Sequence, residues 1–433
     1  MCIRDRLKID TISQRGEQPG ALVVSTLQDG QSPHPMLEFT GWQQGKPLPG
    51  GRQRHRSLPL KQPINRWSLG AAPGLVRLRL ETTGSFELSA PRVVSSSPQL
   101  TNPSAGVRRR ADRGRIEPPL VLLYVFDAFR ADHLDSFSLT DGRTPGLAAL
   151  AQDSVVFENA QAQSSWTKPT VASILTGRLP WAHGARDARD MLPQDLDTLP
   201  VLMQQLGFRT VAFSANGFVS QTFGFDRGFE SFALMPDIDA PSSKVHRLAL
   251  EWLTDHRDEK VFLYLHTIDP HTPYAPIEPF RSRYSPPGVD AEIGSVPFME
   301  DLAHSRRRPE PAELEAITGL YSAEVAFADQ QLSQLIEGLK TLELYDSSLI
   351  VVVADHGEEL YEHGKWTHGQ TLYPEVLHVP LLIKFPYGWG AGSRVADRVQ
   401  QIDLLPTFEE LLGLTTATPL PGSSLVCSVE QVV

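Results

Sequence analysis

Carboxylate and imidazole side chains follow two short apolar runs of the chain, at the point where each run ends. Asp127 comes directly after Leu120–Phe126, and Asp355 and His356 come directly after Leu349–Ala354. Oxygen and nitrogen ligands together suit a divalent cation such as Ca²⁺, Mn²⁺, Mg²⁺ or Zn²⁺. We therefore predict a metal site formed by residues that are far apart in the chain.

Three further donors, Asp269, His271 and His368, lie in loops after other apolar runs. Asp269 and His271 follow the run 261–266, and His368 lies in the glycine-containing loop 363–369. They could extend the metal site, or they could hydrogen-bond the anionic oxygens and the leaving group of a substrate. Both roles stay open, because an Asp after a strand is often a turn residue and a loop His is often a surface residue.

A hydroxyl group stands at the start of a predicted helix. Thr167 precedes Lys168 and Pro169, and proline is well tolerated in the first turn of a helix. The helix dipole and the free N–H groups there favour an anionic phosphate or sulfate group. A metal on the same oxygen would make Thr167 a usable nucleophile at neutral pH. The competing interpretation is that Thr167 only caps the helix.

The elements that must position these residues alternate along the second part of the chain. Continuous apolar runs, typical of strands buried on both faces, occupy residues 120–126, 210–214, 261–266, 349–354 and 379–385. Helical patterns occupy residues 144–151, 198–206, 243–256, 312–341 and 403–412. The alternation predicts an α/β fold with a mostly parallel sheet and helices on both faces. In such sheets, sites gather at the carboxyl ends of the strands.

The first 115 residues differ from the rest in net charge and in amino-acid composition. They carry 18 Lys and Arg against 8 Asp and Glu, whereas the whole chain carries 40 against 51. Strand-like pieces within residues 7–97 predict a small β-rich, sandwich-like domain. The Pro-, Ser- and Arg-rich residues 98–115 predict a basic linker, and residues 116–433 the catalytic domain. A charge run of this kind is typical of a solvated segment, so we expect no nucleic-acid partner.

The composition, with 41% hydrophobic and 21% charged residues, is that of a globular chain. No apolar run approaches the roughly 20 residues that span a bilayer. Two cysteines, Cys2 and Cys427, exclude a disulfide framework. Residues 1–6 back-translate to a sequence that looks like the transposase end used in sequencing libraries, so we expect an artefact there. Localisation is therefore left open, because a periplasmic, secreted or membrane-anchored protein would carry its signal upstream.

Four blocks in residues 118–406 carry a resemblance to a known family. They are residues 125–134, 164–177, 224–229 and 354–358, the last followed by Thr371-Leu372-Tyr373. In this order they resemble the catalytic domain of sulfatases, within the alkaline phosphatase superfamily. The resemblance implies an alkaline-phosphatase-like fold, a divalent metal on Asp127, Asp355 and His356, and Thr167 at the position of the nucleophile, which also touches the metal.

The chain departs from the best-known sulfatase pattern. At the position of Thr167, those sulfatases carry a Cys or Ser that is oxidised to formylglycine. At the position of Val171, they carry an arginine. Threonine cannot become formylglycine, so a Thr ester would have to be cleaved by water, as in the phosphate-ester branch. A second acidic residue is replaced by Ala128. The candidates for substrate binding are Lys168, Asp269 and Lys365.

These residues together predict a hydrolase of sulfate or phosphate esters, with phosphate esters slightly favoured. Thr167 attacks, and His271 or His368 protonates the leaving group or activates water. The expected partner is an anionic ester with a carbohydrate- or lipid-linked organic part. Two alternatives stay open: a transferase that passes a phosphoryl-linked group to an acceptor alcohol, and a non-catalytic binding protein.

Overall fold

A computed structural model of the chain describes residues 115–134, 142–235, 241–305 and 308–433, together with the backbone of nine strands between residues 7 and 95. The chain divides into two compact units, Met1–Gly114 and Arg115–Val433. Residues 1–6, predicted to be an artefact, and all but the last residue of the predicted linker 98–115 lie outside the described residues. Among the residues that the structure describes, no helix is both long and apolar enough to cross a membrane.

The described part of the first unit consists of antiparallel strands. Their bounds are β1 Leu7–Ser13, β2 Gly20–Gln28, β3 Met36–Gln43, β4 Lys46–Pro47, β5 Arg56–Ser57, β6 Ile64–Ser68, β7 Leu75–Glu81, β8 Phe86–Leu88 and β9 Arg92–Ser95. One sheet has the order β1-β7-β3-β4 with β5 beside β3, and the other has the order β6-β2-β8 with β9 beside β2. The packing of the two sheets depends on side chains outside the described set, so the sandwich stays a prediction.

A mixed sheet forms the centre of the second unit, with nine strands in its described part. Their bounds are β10 Leu120–Phe126, β11 Val155–Gln161, β12 Arg209–Ser214, β13 Ser231–Leu234, β14 Val261–Thr267, β15 Leu349–Ala354, β18 His378–Val379, β19 Leu381–Lys384 and β20 Arg394–Gln400. The order is β13-β12-β14-β10-β15-β19-β11-β18, with β20 beside β11. A separate hairpin pairs β16 Glu359–Leu360 with β17 Trp366–Thr367.

Strands β10, β14 and β15 form the middle of the sheet, and all their residues are buried. Their continuous apolar sequences fit this position, since helices cover both faces of the sheet. The prediction of a mostly parallel sheet is confirmed. The predicted strand 379–385 differs in detail, because it is divided into β18 and β19 and runs antiparallel to its neighbours.

Five helices whose bounds were predicted begin and end close to those bounds, among the eleven helices in the described part of the second unit. The eleven are α1 Pro145–Gln152, α2 Thr167–Thr176, α3 Pro180–His183, α4 Leu199–Gln205, α5 Ser242–Asp255, α6 Phe280–Tyr284, α7 Val296–Ser305, α8 Pro311–Thr341, α9 Pro374–Leu377, α10 Leu404–Leu412 and α11 Val426–Val432. Short 3₁₀ turns cover Ala131–His133, Gln221–Phe223, Pro386–Gly388 and Gln401–Asp403. Gly413 ends α10 in the left-handed conformation, with φ of 79°, as a C-terminal glycine typically does.

The long helix α8 holds two loops and the start of helix α1 in place through polar side chains. The Tyr321 hydroxyl donates to the Ala128 carbonyl oxygen at 2.7 Å, and Glu324 Oε1 accepts from the Ala275 N–H at 2.9 Å. Asp329 accepts two backbone N–H groups in the first turn of α1. These buried or partly buried hydrogen bonds tie α8 to both loops and to the first turn of α1.

Candidate active site

The carboxyl ends of three adjacent strands bring the predicted metal ligands together. β10 lies between β14 and β15, and Phe126 pairs with Thr267 on one side and with Ala354 on the other. The residues that follow β10 and β15, Asp127 and Asp355, therefore stand at the same level of the sheet. Their backbone N–H groups continue the ladder at 3.1 Å and 3.0 Å.

Asp127, Asp355 and His356 are fully buried, and one ligand atom from each lies within 4.8 Å of the others. His356 Nε2 is 3.5 Å from Asp127 Oδ1 and 3.6 Å from Asp355 Oδ2. His356 Nδ1 donates to the Gly357 carbonyl oxygen at 2.8 Å, which leaves the lone pair of Nε2 for the cluster. Among the described residues, Asp127 Oδ1 and Asp355 Oδ2 find no hydrogen-bond partner. Buried acceptors of this kind need a compensating charge.

The two carboxylates disturb each other's ionisation. Burial and the neighbouring Asp127 raise the pKa of Asp355 well above its ordinary value. Burial alone would also raise the pKa of Asp127, but His271 and the adjacent imidazoles outweigh burial and lower it. Burial lowers the pKa of His356, which keeps this imidazole neutral and able to bind a metal. Two carboxylates and one neutral imidazole therefore fit a divalent cation, whose charge would offset both acids.

Helix α2 begins at Thr167, and the hydroxyl of this residue contacts the cluster. Thr167 is 2% exposed, and its Oγ1 lies 3.3 Å from His356 Nε2. Trp166 occupies the N-cap position in an extended conformation, so Thr167 is the first helical residue. The capping interpretation of Thr167 is therefore wrong. The nucleophilic role stays a prediction with suitable geometry.

Lys168 lies next to Thr167 but points away from the cluster. Its Nζ donates to the carbonyl oxygens of Asp187 at 3.3 Å, Ala188 at 2.6 Å and Asp190 at 3.1 Å. An ammonium group has three donors, so none remains for a substrate oxyanion. This geometry contradicts the predicted substrate-binding role. The physical reason is helical phase, because successive residues point about 100° apart around a helix.

The two predicted catalytic histidines, His271 and His368, lie beside the cluster. Their ring centres are 4.8 Å apart, and the ring centre of His368 is 4.3 Å from that of His356. His368 Nδ1 lies 3.0 Å from Oε1 of the buried Glu358. Burial alone would lower the pKa of His368, but the Glu358 carboxylate outweighs burial and raises it. A carboxylate partner of this kind fixes the orientation of the ring.

The other two predicted substrate-binding residues lie in different surroundings. Asp269 Oδ2 accepts the backbone N–H of Ser242 at 2.8 Å, at the start of α5. Lys365 is exposed in the turn between β16 and β17. Contact of either residue with a substrate stays a prediction.

Two residues that were not among the predicted site residues also contact the cluster. His266 Nε2 lies 3.6 Å from Asp127 Oδ2 and 3.8 Å from Asp355 Oδ2. Asn216 Nδ2 donates to Asp127 Oδ2 at 2.5 Å and to Thr167 Oγ1 at 3.4 Å. His266 belongs to β14 and Asn216 follows β12, at the same edge of the sheet. Their position at strand ends was therefore the available signal, but Asn is equally common in turns.

The structure shows the surroundings of the two residues, Ala128 and Val171, that depart from the sulfatase pattern. Ala128, in place of an acidic residue, has a φ of 57°, and its N–H donates to Asp355 Oδ1 at 3.2 Å. The backbone at this position therefore orients a carboxylate. Val171, in place of an arginine, is fully buried within α2. Its side chain is part of the hydrophobic core.

The chain is similar to known proteins over this second unit. The sequence model of the sulfatase family matches residues 119–414. The N-acetylglucosamine-6-O-sulfatase of Bacteroides thetaiotaomicron is 22% identical over 65% of this chain and 66% of its own length. The choline-sulfatase of Rhizobium meliloti is 24% identical over 70% of each chain. This chain therefore covers about two thirds of the length of these two relatives.

A similar fold occurs in the phosphonate monoester hydrolase of Agrobacterium radiobacter. That structure has a TM-score of 0.62 and 21% sequence identity, and the match covers 73% of this chain and 78% of the other. At this identity the likeness concerns the fold, and it confirms the alkaline-phosphatase-like architecture predicted from the sequence. Because the sulfatase model covers more than half of the chain, including both the metal-ligand candidates and Thr167, this protein belongs to the sulfatase family.

Proposed function

We propose that this protein is a metal-dependent hydrolase of sulfate or phosphate esters, with Thr167 as the nucleophile. The observation that carries the proposal is the contact of Thr167 Oγ1 with His356 Nε2, at 3.3 Å, beside two buried carboxylates. A hydroxyl in the interior that points at such a cluster is suited to bond formation with an anion held there.

The metal would be held by Asp127, Asp355 and His356, and when bound it would polarise the ester and lower the pKa of the Thr167 hydroxyl. Thr167 then gives its hydroxyl proton to solvent and attacks the sulfur or phosphorus atom, and the positive end of the α2 dipole attracts the anion. A covalent Thr ester forms, and the alcohol leaves.

His368 is the better placed of the two candidate acids. Its raised pKa favours the protonated form, which can give a proton to the departing alcohol and later take one from the attacking water. His271, whose ring centre lies 4.8 Å away, could share this task. A Thr ester has no aldehyde hydrate from which sulfate could be expelled, so water must attack the central atom. This step is the chemistry of phosphate esters, which we therefore expect to be slightly preferred.

The test compares an aryl sulfate, a phosphate monoester and a phosphodiester with metal-loaded protein. Thr167→Ala should lower kcat by at least about a thousandfold, because the nucleophile is lost. Thr167→Ser, which keeps a hydroxyl group, should retain measurable turnover. Circular dichroism and metal content should stay close to those of the unchanged protein. Full turnover by Thr167→Ala would refute the nucleophile, and faster turnover of the sulfate would refute the preference for phosphorus.

A further inference from the structure

A cavity of about 650 Å³ opens directly beside the two site histidines. His271 and His368 both form part of its wall, together with Ile268 and Pro273 from the loop after β14. Because the ring of His368 lies 4.3 Å from that of His356, the cavity begins at the edge of the candidate active site. Its volume is in the range that holds a sizeable organic ligand and far exceeds what one sulfate or phosphate group would fill.

Helix α7 forms another part of the wall of this cavity. Val296, Met299, Glu300, Ala303 and His304 line it, and this spacing of three and four residues marks one face of a helix. Met299 is only 3% exposed, so it belongs to the floor of the cavity, whereas Val296 is 46% exposed and belongs to its rim.

The chemistry of the wall favours an uncharged and mainly apolar ligand. Its surface is more apolar than polar, and Glu300, at the exposed rim, is the one carboxylate among the described lining residues. Those described lining residues include no lysine and no arginine. Three histidines also line the cavity, and the one with a raised pKa, His368, is already paired with Glu358 through its Nδ1 atom. A second anionic group inside the cavity would therefore lose its hydration without gaining a free cation, and at the rim it would face the negative charge of Glu300.

The geometry points to this cavity as the binding site for the alcohol part of the ester, and assigns that alcohol to the apolar aromatic or aliphatic class. The assignment rests on the proposed function, because it takes the histidine side of the site as the side on which the alcohol leaves. A sugar ester with several anionic groups is thereby the wrong class of substrate for this cavity.

Binding to the Thr167→Ala variant tests the cavity without turnover. We expect the metal-loaded variant to bind 2-naphthyl phosphate or sulfate at least about tenfold more tightly than the methyl ester of the same acid. Adding Ala303→Trp, which fills the cavity, should reduce this ratio to below about twofold. Asp301→Trp places the same bulk on α7 outside the lining residues and should leave the ratio unchanged.

A second variant keeps the test independent of whether Ala303→Trp folds. Glu300→Arg, at the exposed rim, should improve binding of a sugar ester that carries a second sulfate group, relative to the naphthyl ester. Equal binding of naphthyl and methyl esters, or tighter binding of the doubly sulfated sugar by the protein with Glu300 intact, would overturn the assignment.

Failure of the cavity assignment and failure of the proposed function give different results. If no ester is turned over by the unchanged protein but the naphthyl preference is present and sensitive to Ala303→Trp, the cavity is correct and the proposed function is wrong. If turnover depends on Thr167 but the naphthyl preference is missing, the proposed function stands and the cavity assignment is wrong.

Discussion

Asn216 offers the sharpest test of how the cluster is held together. The residue is 5% exposed, and its side-chain amide donates to Asp127 Oδ2 at 2.5 Å and to Thr167 Oγ1 at 3.4 Å. The residue therefore connects a predicted metal ligand with the predicted nucleophile. Asn216→Ala removes both contacts, and Asn216→Asp keeps the shape but replaces the donor with a third carboxylate beside Asp127 and Asp355.

The size of the effect follows from the stronger of the two contacts. A hydrogen bond to a charged group contributes about 1.5–3 kcal/mol, and each 1.36 kcal/mol corresponds to a factor of about ten. Asn216→Ala should therefore lower kcat, metal affinity or both by about 10- to 150-fold in total. Asn216→Asp should cost more than Asn216→Ala at neutral pH, since a carboxylate at this distance repels the ionised Asp127.

Metal titration and steady-state kinetics at saturating metal separate the two contacts. Weaker metal binding reports the contact with Asp127, and a lower kcat at saturating metal reports the contact with Thr167. Gln221→Ala, which removes an exposed amide from the same segment, is the matched control and should be neutral. The reasoning is refuted if both Asn216 variants keep unchanged kcat and unchanged metal affinity.

Two further predictions concern buried carboxyl groups. Asp355→Asn should destabilise the metal-loaded protein and stabilise the metal-free protein towards unfolding. The reason is that the pKa of Asp355 is raised in the folded protein, so metal-free stability falls as pH rises above the ordinary carboxyl range. Chemical denaturation with and without chelator measures both effects, and equal shifts of the same sign would contradict the prediction. Burial, followed by the nearby Asp269, raises the pKa of Glu324 to about 8. The folded protein therefore holds a proton that the unfolded chain releases, and this group's contribution to stability, on the order of 3 kcal/mol, should be lost between about pH 5 and pH 8. Thermal unfolding across this range should show a smaller loss for Glu324→Gln, and an identical pH profile would contradict the assignment.

The central strands and most helices could be predicted from local patterns. Strands 120–126 and 349–354 have the predicted bounds. A continuous apolar run of this length is typical of a strand that is buried on both faces of a parallel sheet. Strand β20 was not predicted, since only two of its seven residues are buried and its sequence is mainly polar. The antiparallel direction of β19 was also not predictable, because strand direction depends on the path of the connecting loop.

The residue types of the candidate site were determined by the sequence alone. Asp127, Asp355 and His356 stand at strand ends, and Thr167 excludes formylglycine chemistry whatever the fold. The tertiary structure decided which groups meet. Helical phase turned Lys168 towards a loop, and the alignment of β12 and β14 with β10 brought Asn216 and His266 to Asp127. Local sequence sets which chemistry a residue can perform, but register and helix rotation, which arise from packing over the whole chain, set its neighbours.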